Sequence, residues 1–475
     1  MKNFLKISLF LCATLTFPAY AVDLPDTVRQ ALKRAGIPES AVGIYVREVG
    51  VDQPLVSVNA DVPMNPASVM KMVTTYAGLE MLGPTYKWRT EVYANGNLVN
   101  GTLQGDLVIK GYGDPSLNLE NFWLLLRQVR QTGLKDISGD LVLDDSYFNL
   151  PASDPGAFDG KRFNTYNVAP EALLVNYRTS TLHLFPELQR GGIRVVAEPD
   201  GQFLNVQNNL KLTQKKCGGG GVRVSIRENV PQPGHVTVGL EGEYSSDCGP
   251  TAYYLSLHEN TAYMHQLFSA LWKELGGTFT GTVRRGAAPK GLHALSVYES
   301  PPLAEVIRGI NKFSNNVAAK QVFLSLGETQ SKGRGYVSPD IAFAGVRHWL
   351  GSKGMNFPEL VMENGSGLSR KERISARHLN DLLAAAYFSP TMPEFMASLA
   401  VVGLDGTARK RLKRSAVAKK AHIKTGTLKN VSAIAGYVLN GKKRRYAVAF
   451  MVNHPNSGGA RTAMDALMEW LYVKT

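Results

Sequence analysis

The stretch of sequence that decides the fold is Pro66-Ala67-Ser68-Val69-Met70-Lys71. It is typical of the first turn of a helix, because proline suits the opening position, where its missing N–H would have no partner anyway. We expect this helix to run to about Leu82. The apolar residues recur at helical spacing and predict one apolar face: Val69, Met72, Val73 and Tyr76.

Ser68 and Lys71 lie three residues apart in this predicted turn. On a helix, that spacing places both side chains on the same side, one turn above the other. A hydroxyl and an amine would then meet at the positive end of a helix, where a nucleophile that forms an anionic intermediate is favoured. The pattern alone is weak, since it should occur by chance about once or twice in a chain of this length.

Residues 1–21 have the features of a cleavable signal peptide. Two lysines form a basic start, residues 7–17 are a short apolar run, and Ala19-Tyr20-Ala21 is a small-residue cleavage site. The apolar run is too short to span a bilayer. We therefore predict a mature chain that begins at Val22, lies outside the cytoplasmic membrane and has no transmembrane anchor.

The net charge is +14 for the whole chain and +12 without the two lysines of the signal peptide. A basic secreted protein is expected to meet an anionic envelope polymer or lipid head groups rather than nucleic acid. Two runs late in the chain concentrate this charge, residues 409–414 and 442–445. They suggest a peripheral association with the envelope, although a solvated basic face is the simpler interpretation.

Only Cys217 and Cys248 follow the signal peptide, and both lie beside glycine-rich turns. In an oxidising compartment, two such cysteines favour a single disulfide. The nine histidines are scattered, and no His-Glu-x-x-His pattern occurs. We therefore expect neither a metal nor a cofactor.

The pattern of elements predicts an α/β (α+β) fold. A helix, two strands and the Ser68 helix come first, and helices and antiparallel strands return after residue 302. Between them the texture is that of short strands, with tight turns predicted at Asn95-Gly96 and Asn100-Gly101. The simplest architecture is one domain made from residues 22–87 and 298–475, interrupted by a β-rich insertion, residues 88–297.

Two further motifs follow Ser68 and Lys71. Phe313-Ser314-Asn315-Asn316 lies at the junction of two predicted helices, and Lys424-Thr425-Gly426-Thr427 lies on a predicted strand beside a hairpin. Each motif alone is common, but their occurrence in this order on helix start, loop and strand is far more specific. With them the sequence resembles the penicillin-recognising serine enzymes, which carry Ser-x-x-Lys, Ser-x-Asn and Lys-Thr-Gly elements.

More closely, the chain resembles the D-alanyl-D-alanine carboxypeptidase/endopeptidases, the class C low-molecular-mass penicillin-binding proteins. Further stretches carry this narrower resemblance, which covers nearly the whole mature chain: residues 111–117, 139–141, 364–370, 404–407 and the paired cysteines. The resemblance implies a penicillin-binding/β-lactamase-like transpeptidase domain, an antiparallel sheet flanked by helices, with two subdomains nested in the insertion. It also implies a periplasmic enzyme that acts on peptidoglycan peptides and that β-lactam antibiotics inhibit covalently.

The residue types suit distinct roles in this chemistry. Ser68 would attack the carbonyl of a D-Ala-D-Ala bond, and Lys71 could accept its proton if burial and a nearby cation, Lys424, keep the amine neutral. Ser314 could pass a proton to the leaving amine, and Asn316 could orient Lys71. The strand from Lys424 would bind the terminal carboxylate of the substrate. Its substrate-binding residues are Thr425, Gly426 and Thr427, and the N–H groups of Ser68 and Thr427 would form an oxyanion hole.

Members of the family bind the zwitterionic end of a diaminopimelate side chain with an aspartate and an arginine. Arg370 matches that arginine, and Asp159 is the best match for the aspartate, with Asp154 as a competitor. Two residues depart from the family pattern. Glu363 stands where an aspartate is usual, and Lys429 replaces a neutral polar residue.

Two other functions share the three motifs. A serine β-lactamase is disfavoured because the chain is much longer than a one-domain lactamase needs and no Glu-x-x-Leu-Asn-like motif is found. A non-catalytic envelope protein that still binds β-lactams remains an alternative. The sequence leaves open whether peptide trimming or cross-link cleavage dominates.

Overall fold

The structure is a computed structural model that describes residues 23–218, 221–229, 234–331 and 335–474. The predicted signal peptide, residues 1–21, lies outside these ranges and stays a prediction. Among the described helices, none combines the length and the apolar character needed to cross a membrane.

The described chain mixes helices and strands, as the sequence predicted. The helices are α1 (Asp26–Arg34), α2 (Lys71–Met81), α3 (Leu119–Gln131), α4 (Asn260–Glu274), α5 (Leu303–Phe313), α6 (Asn316–Ser325), α7 (Pro339–Ser352), α8 (Ala376–Phe388), α9 (Met392–Ser398) and α10 (Ala460–Lys474). The strands of the first and last parts are β1 (Val42–Glu48), β2 (Val56–Val58), β16 (Ala400–Val401), β17 (Ala421–Leu428), β18 (Val431–Leu439) and β19 (Arg445–Asn453). The strands between them are β3 (Arg89–Val99), β4 (Thr102–Gly111), β5 (Asp136–Ile137), β6 (Leu141–Asp144), β7 (Ser180–Glu187), β8 (Gly192–Glu198), β9 (Leu204–Thr213), β10 (Val222–Glu228), β11 (Val236–Ser245), β12 (Thr251–Leu255), β13 (Thr278–Phe279), β14 (Val283–Arg285) and β15 (Ser296–Glu299).

The central sheet is built from both ends of the chain. Its six strands are antiparallel and lie in the order β16-β17-β18-β19-β1-β2. Helices cover both faces, and alternate residues of β19 enter opposite cores: Phe450 packs with α1 and α10, whereas Ala449 and Met451 pack with α2, α5, α6 and α8. The predicted antiparallel sheet flanked by helices is confirmed.

The start of α2 differs from the prediction. Residues Ala67–Met70 form a 3₁₀ turn after Pro66, and the α-helix begins only at Lys71. The prediction of one apolar face is also wrong, because every residue from Lys71 to Leu79 is buried. A helix packed on all sides inside a domain needs no polar stripe, so its periodicity shows only part of its buried surface.

The insertion contains a mixed seven-stranded sheet and two three-stranded sheets. In the larger sheet, the similar segments at β4 and β6 are parallel neighbours, with Leu107 opposite Leu141, and α3 and α4 pack on it. The smaller sheets are β12-β7-β8 and β10-β11-β9. Cys217 and Cys248, predicted to pair, form a disulfide beside the second of them.

Of the two predicted turns near the start of the insertion, one is wrong. Asn100-Gly101 joins β3 to β4 with positive φ at both residues, as a tight hairpin turn requires. Asn95-Gly96 instead lies within β3. Gly96 is opposite Gly105, and a Cβ at either position would collide with the facing strand, so glycine here serves close approach of two strands.

The chain leaves for the insertion and returns from it along one pair of strands. β3 and β15 are antiparallel, with Val92 opposite Ser296. We propose that the domain boundaries, predicted at residues 87–88 and 297–298, fall at this pair.

Candidate active site

The amine of Lys71 is the centre of a polar cluster under Ser68. Its Nζ lies 3.1 Å from Ser68 Oγ and 2.7 Å from Asn316 Oδ1, and it also contacts the carbonyl oxygen of Ser366. Lys71 itself is fully buried. The first two predicted motifs therefore meet at one nitrogen, together with a backbone group that the sequence analysis did not select.

The number of partners fits a neutral amine as well as an ammonium. An ammonium has three N–H groups to donate, whereas a neutral amine has two N–H groups and one lone pair. With the Asn316 and Ser366 oxygens accepting the two N–H groups, the lone pair of a neutral Lys71 faces the Ser68 hydroxyl. The arrangement can thus take a proton from Ser68.

The surroundings of Lys71 favour the neutral form. Burial, and then the positive charge of Lys424, lower the pKa of Lys71 well below its ordinary value, while the carboxylate of Glu372 opposes this shift. Burial also lowers the pKa of Lys424 to about 7.

Lys424 connects the second motif to the third. Its Nζ donates to Ser314 Oγ over 2.9 Å and to the carbonyl of Thr425 over 2.8 Å. Ser314 ends α5 in the left-handed conformation, with φ of 61°, and the side chain of Asn315 then caps α6. A non-glycine residue held in this conformation is strained, and such strain is common where a side chain must be placed for function.

Two glycines let the neighbouring backbone approach Ser68 closely. A Cβ on Gly426 of β17 would lie 2.7 Å from the Pro66 carbonyl oxygen and 3.0 Å from the Ser68 nitrogen. Gly367, with φ of 80°, packs so tightly against Ala67 and Ser68 that no Cβ would fit. Ser68 is therefore enclosed between the Lys-Thr-Gly strand and the loop of residues 364–367.

The loop of residues 364–367 is the part of the site that sequence reasoning missed. Its stretch was selected only for its resemblance to the family, and nothing in the sequence indicates that the Ser366 carbonyl contacts Lys71. Glu372 is fully buried beneath this loop and accepts hydrogen bonds from the N–H groups of Asn364 and Gly365 at 3.1 and 3.0 Å. A buried glutamate among charged neighbours in sequence gives no signal of its burial.

The two predicted recognition residues lie in neighbouring positions. The Arg370 guanidinium stacks on the Phe158 ring at 4.6 Å and donates to the Lys429 carbonyl. Asp159, next to Phe158, accepts hydrogen bonds from Tyr166, Asn167 and the backbone of Lys161. A cavity of about 840 Å³ opens here, and its lining includes Asp154, Phe158, Lys320 and Arg370 but not Asp159. Asp154 therefore remains a competitor for the carboxylate role.

The chain is similar to curated carboxypeptidases over most of its length. It is 27% identical to the D-alanyl-D-alanine carboxypeptidase of Actinomadura sp. (strain R39), covering 94% of this chain and 84% of that one. It is 24% identical to D-alanyl-D-alanine carboxypeptidase DacB of Haemophilus influenzae, covering 95% and 92%.

Solved structures share the fold. Penicillin binding protein 4 (dacB) of Haemophilus influenzae superposes with a TM-score of 0.73 at 23% identity, over 93% of this chain and 99% of that one. Bd3459, a peptidoglycan endopeptidase of Bdellovibrio bacteriovorus, has a TM-score of 0.53 at 15% identity, over 90% and 92%. The predicted penicillin-binding fold is thus confirmed. The profile of the D-Ala-D-Ala carboxypeptidase 3 (S13) family matches residues 24–473, and this chain belongs to that family.

Proposed function

We propose that this protein hydrolyses the D-Ala-D-Ala bond of peptidoglycan stem peptides through an acyl-enzyme on Ser68. The observation that carries the proposal is the fully buried Lys71 amine in contact with Ser68 Oγ. The Ser68 oxygen attacks the carbonyl carbon as its proton passes to Lys71. The C–N bond then breaks, the leaving D-Ala amine receives a proton through Ser314, and water hydrolyses the Ser68 ester.

The strand β17 supplies the binding of the substrate in this proposal. Lys424, Thr425 and Thr427 offer a cation and two hydroxyls to the terminal carboxylate. The backbone N–H groups of Ser68 and Thr427 stabilise the oxyanion. The close approach of Gly426 to the Ser68 nitrogen supports this role, because it places the backbones of the two segments side by side.

A β-lactam ring presents a comparable carbonyl and carboxylate, so we propose that β-lactams acylate Ser68. A solved structure of the Haemophilus influenzae relative is a complex with a β-lactam. We expect a fluorescent penicillin to label the wild-type protein covalently and Ser68→Ala to abolish the labelling while its thermal unfolding is unchanged. Undiminished labelling of the alanine variant would exclude Ser68 as the nucleophile.

The neighbouring folds include a peptidoglycan endopeptidase, and we propose that cross-links between D-Ala and diaminopimelate are a second substrate. Incubation with a cross-linked muropeptide, followed by chromatography, separates the possibilities. Release of D-Ala shows trimming, release of monomers shows cross-link cleavage, and neither product would favour a non-catalytic β-lactam-binding protein. Rapid turnover of penicillin would instead indicate a β-lactamase.

We propose that Arg370 and Asp159 recognise the carboxylate and amino groups of a diaminopimelate side chain. Arginine binds a carboxylate in a fork geometry, and Arg370 stacks on Phe158, the residue before Asp159. Arg370→Ala and Asp159→Ala should each lower kcat/KM for diaminopimelate peptides by roughly 1–3 kcal/mol of transition-state stabilisation. Asp154→Ala is the matched comparison, and equal losses with a small penicillin would exclude a recognition role.

The two basic runs support a peripheral association with anionic lipid in the periplasm. In the first run, Arg411 pairs with Asp465 of α10 and the Lys410 carbonyl accepts a hydrogen bond from Arg461. The second run follows Gly441, whose N–H donates to the Tyr472 carbonyl near the end of α10. The two runs therefore lie beside different turns of α10, the first nearer its beginning and the second nearer its end. Replacing Lys413 and Arg414 of the first run, together with the neighbouring Lys419 and Lys420, by glutamate should abolish co-sedimentation with phosphatidylglycerol vesicles at low salt. Equal sedimentation of the wild-type protein and the glutamate variant would show that the basic runs are only a solvated face and do not bind lipid.

A further inference from the structure

Glu372 is joined to the Lys71 amine through one short loop. Its Oε1 accepts the N–H groups of Asn364 and Gly365. Two residues after Asn364, the Ser366 carbonyl contacts Lys71 Nζ, and Gly367 packs on the Ser68 backbone. A shift of this carboxylate would thus move both the Ser366 carbonyl that contacts Lys71 and the Gly367 backbone that packs on Ser68.

The same carboxylate also brings charge close to Lys71. Glu372 is fully buried, and within the described ranges its second oxygen has no hydrogen-bond partner. A buried carboxylate without full hydrogen bonding is costly, so its burial calls for a compensating role. Burial raises the pKa of Glu372 to about 7, and the hydrogen bonds from the loop and the charge of Lys71 act in the opposite direction.

Other charged groups complete the surroundings of this pair. Lys424 faces Lys71 from β17, and Lys320 faces both Lys71 and Glu372 from α6. Glu363, the residue before the 364–367 loop, also acts on Glu372 through its charge, although it is paired with Lys371 at the surface. Lys71 therefore has two cations and one anion in its buried neighbourhood, and Glu372 is that anion.

We infer that Glu372 is a positioning residue that holds the 364–367 loop against the Lys71 amine and controls, through its charge, how readily Lys71 gives up its proton. This inference rests on the proposed function. An ionised Glu372 stabilises the ammonium form and a protonated Glu372 releases it, so Lys71 and Glu372 titrate together. The carboxylate itself touches neither Ser68 nor the substrate.

Glu372→Gln separates the charge from the geometry, because the amide oxygen can still accept both N–H groups. The measurement is the rate of acylation by a fluorescent penicillin from pH 5 to pH 9. The acid limb of this profile is the range in which the rate falls as the pH is lowered and Lys71 becomes protonated. Loss of the Glu372 anion should move the acid limb to lower pH by on the order of one unit. The same variant should keep a plateau rate within about tenfold of wild type.

Two further variants serve as controls. Glu363→Gln neutralises the exposed neighbour of the loop and should leave the acid limb in place. Glu372→Asp keeps the charge but shortens the side chain, so it should lower the rate at every pH without moving the limb. The Asp variant also decides the question if the Gln variant fails to fold, since a displaced limb with the charge retained would overturn the inference.

The outcomes remain distinguishable from failure of the proposed function. If wild-type protein is not acylated at all, the Ser68 mechanism fails and Glu372 has no reaction to assist. If wild type is acylated and Glu372→Gln loses rate uniformly with an unmoved acid limb, Glu372 only supports the loop, and its control of the Lys71 proton is refuted. An unchanged rate and an unchanged limb would refute both roles.

Discussion

The central sheet and the sheet β10-β11-β9 of the insertion, here called the outer sheet, bury their strands to very different degrees. In β18 and β19, all residues but Ser432, Leu439, Arg445 and Asn453 are buried, because helices cover both faces. In β9 and β10, no residue is fully buried, and half-buried positions alternate with exposed ones through much of both strands. The central sheet is covered by helices on both faces, whereas the outer sheet has one face in solvent.

The sheet that is covered on both faces is the one that positions catalytic residues. Lys424 and Gly426 lie on β17, next to the doubly covered strands, and must stay within hydrogen-bond reach of their partners beside Ser68. Close packing on both faces resists small displacements of the backbone. The outer sheet contains none of the three motifs, and a disulfide joins the segments that follow β9 and β11. The first two predictions below each perturb one of these two regions and should leave the other unaffected, and the last concerns the seven-stranded sheet region of the insertion.

The largest effect is expected from Lys71→Arg in the central region. The guanidinium is positively charged and does not lose its proton in a protein, so it cannot accept the Ser68 proton. We expect acylation by penicillin to slow by at least roughly 100-fold. Stopped-flow labelling measures this rate. A rate within about threefold of wild type would show that Lys71 is not the base, and Lys371→Arg at the surface is the matched control.

An intermediate effect is expected from removal of the disulfide. The bond closes a loop with a sequence separation of 31 residues, so replacing Cys217 and Cys248 by serine should destabilise the insertion by roughly 3–4 kcal/mol in the chain-entropy model. Urea unfolding measures the loss, and wild-type protein with a reductant is the comparison. The acylation rate should stay within about twofold of wild type. A large fall in acylation would show that the outer sheet does support the catalytic centre.

The architecture of the two chain ends followed from sequence because each element carries its own local pattern. Within the insertion, the hairpin at Asn100-Gly101 was also predicted correctly, from its turn chemistry. The prediction of a turn at Asn95-Gly96 was wrong for a physical reason. Glycine next to asparagine permits a turn, but here two glycines face each other so that β3 and β4 can approach.

The candidate site was only partly accessible from sequence. Side chains in the three motifs could be selected by residue type and order, and the structure brings Ser68, Lys71 and Asn316 together. The Ser366 carbonyl could not be selected, because every residue has one and only tertiary packing decides which carbonyl faces the amine. Glu372 was missed for a similar reason, since burial of a charged residue is set by the surrounding fold.

The smallest effect concerns a carboxyl group that is buried in the insertion. Asp114 Oδ1 accepts hydrogen bonds from the backbone and hydroxyl of Ser116, and within the described ranges its Oδ2 has no hydrogen-bond partner. Burial raises the pKa of Asp114 to about 6, although the bonds from Ser116 oppose the shift. Between about pH 4 and pH 6, the carboxyl of Asp114 is therefore protonated in the folded state but ionised in the unfolded chain, where its pKa is about 3.9.

The sign of the pH dependence follows from this difference. The stabilising contribution of protonated Asp114 is complete below about pH 4 and is lost as the pH rises through about 6. Asp114→Asn resembles the protonated form at every pH, so it should raise the free energy of unfolding at pH 8 by about 1–2 kcal/mol and change little at pH 4. Urea unfolding at the two pH values tests this. Asp140→Asn is the control with the opposite sign, because hydrogen bonds from Thr282 lower the pKa of that half-exposed carboxyl. If Asp114→Asn is less stable than wild type at pH 8, the ionised carboxylate makes a favourable interaction in the insertion that outweighs the cost of burying its charge.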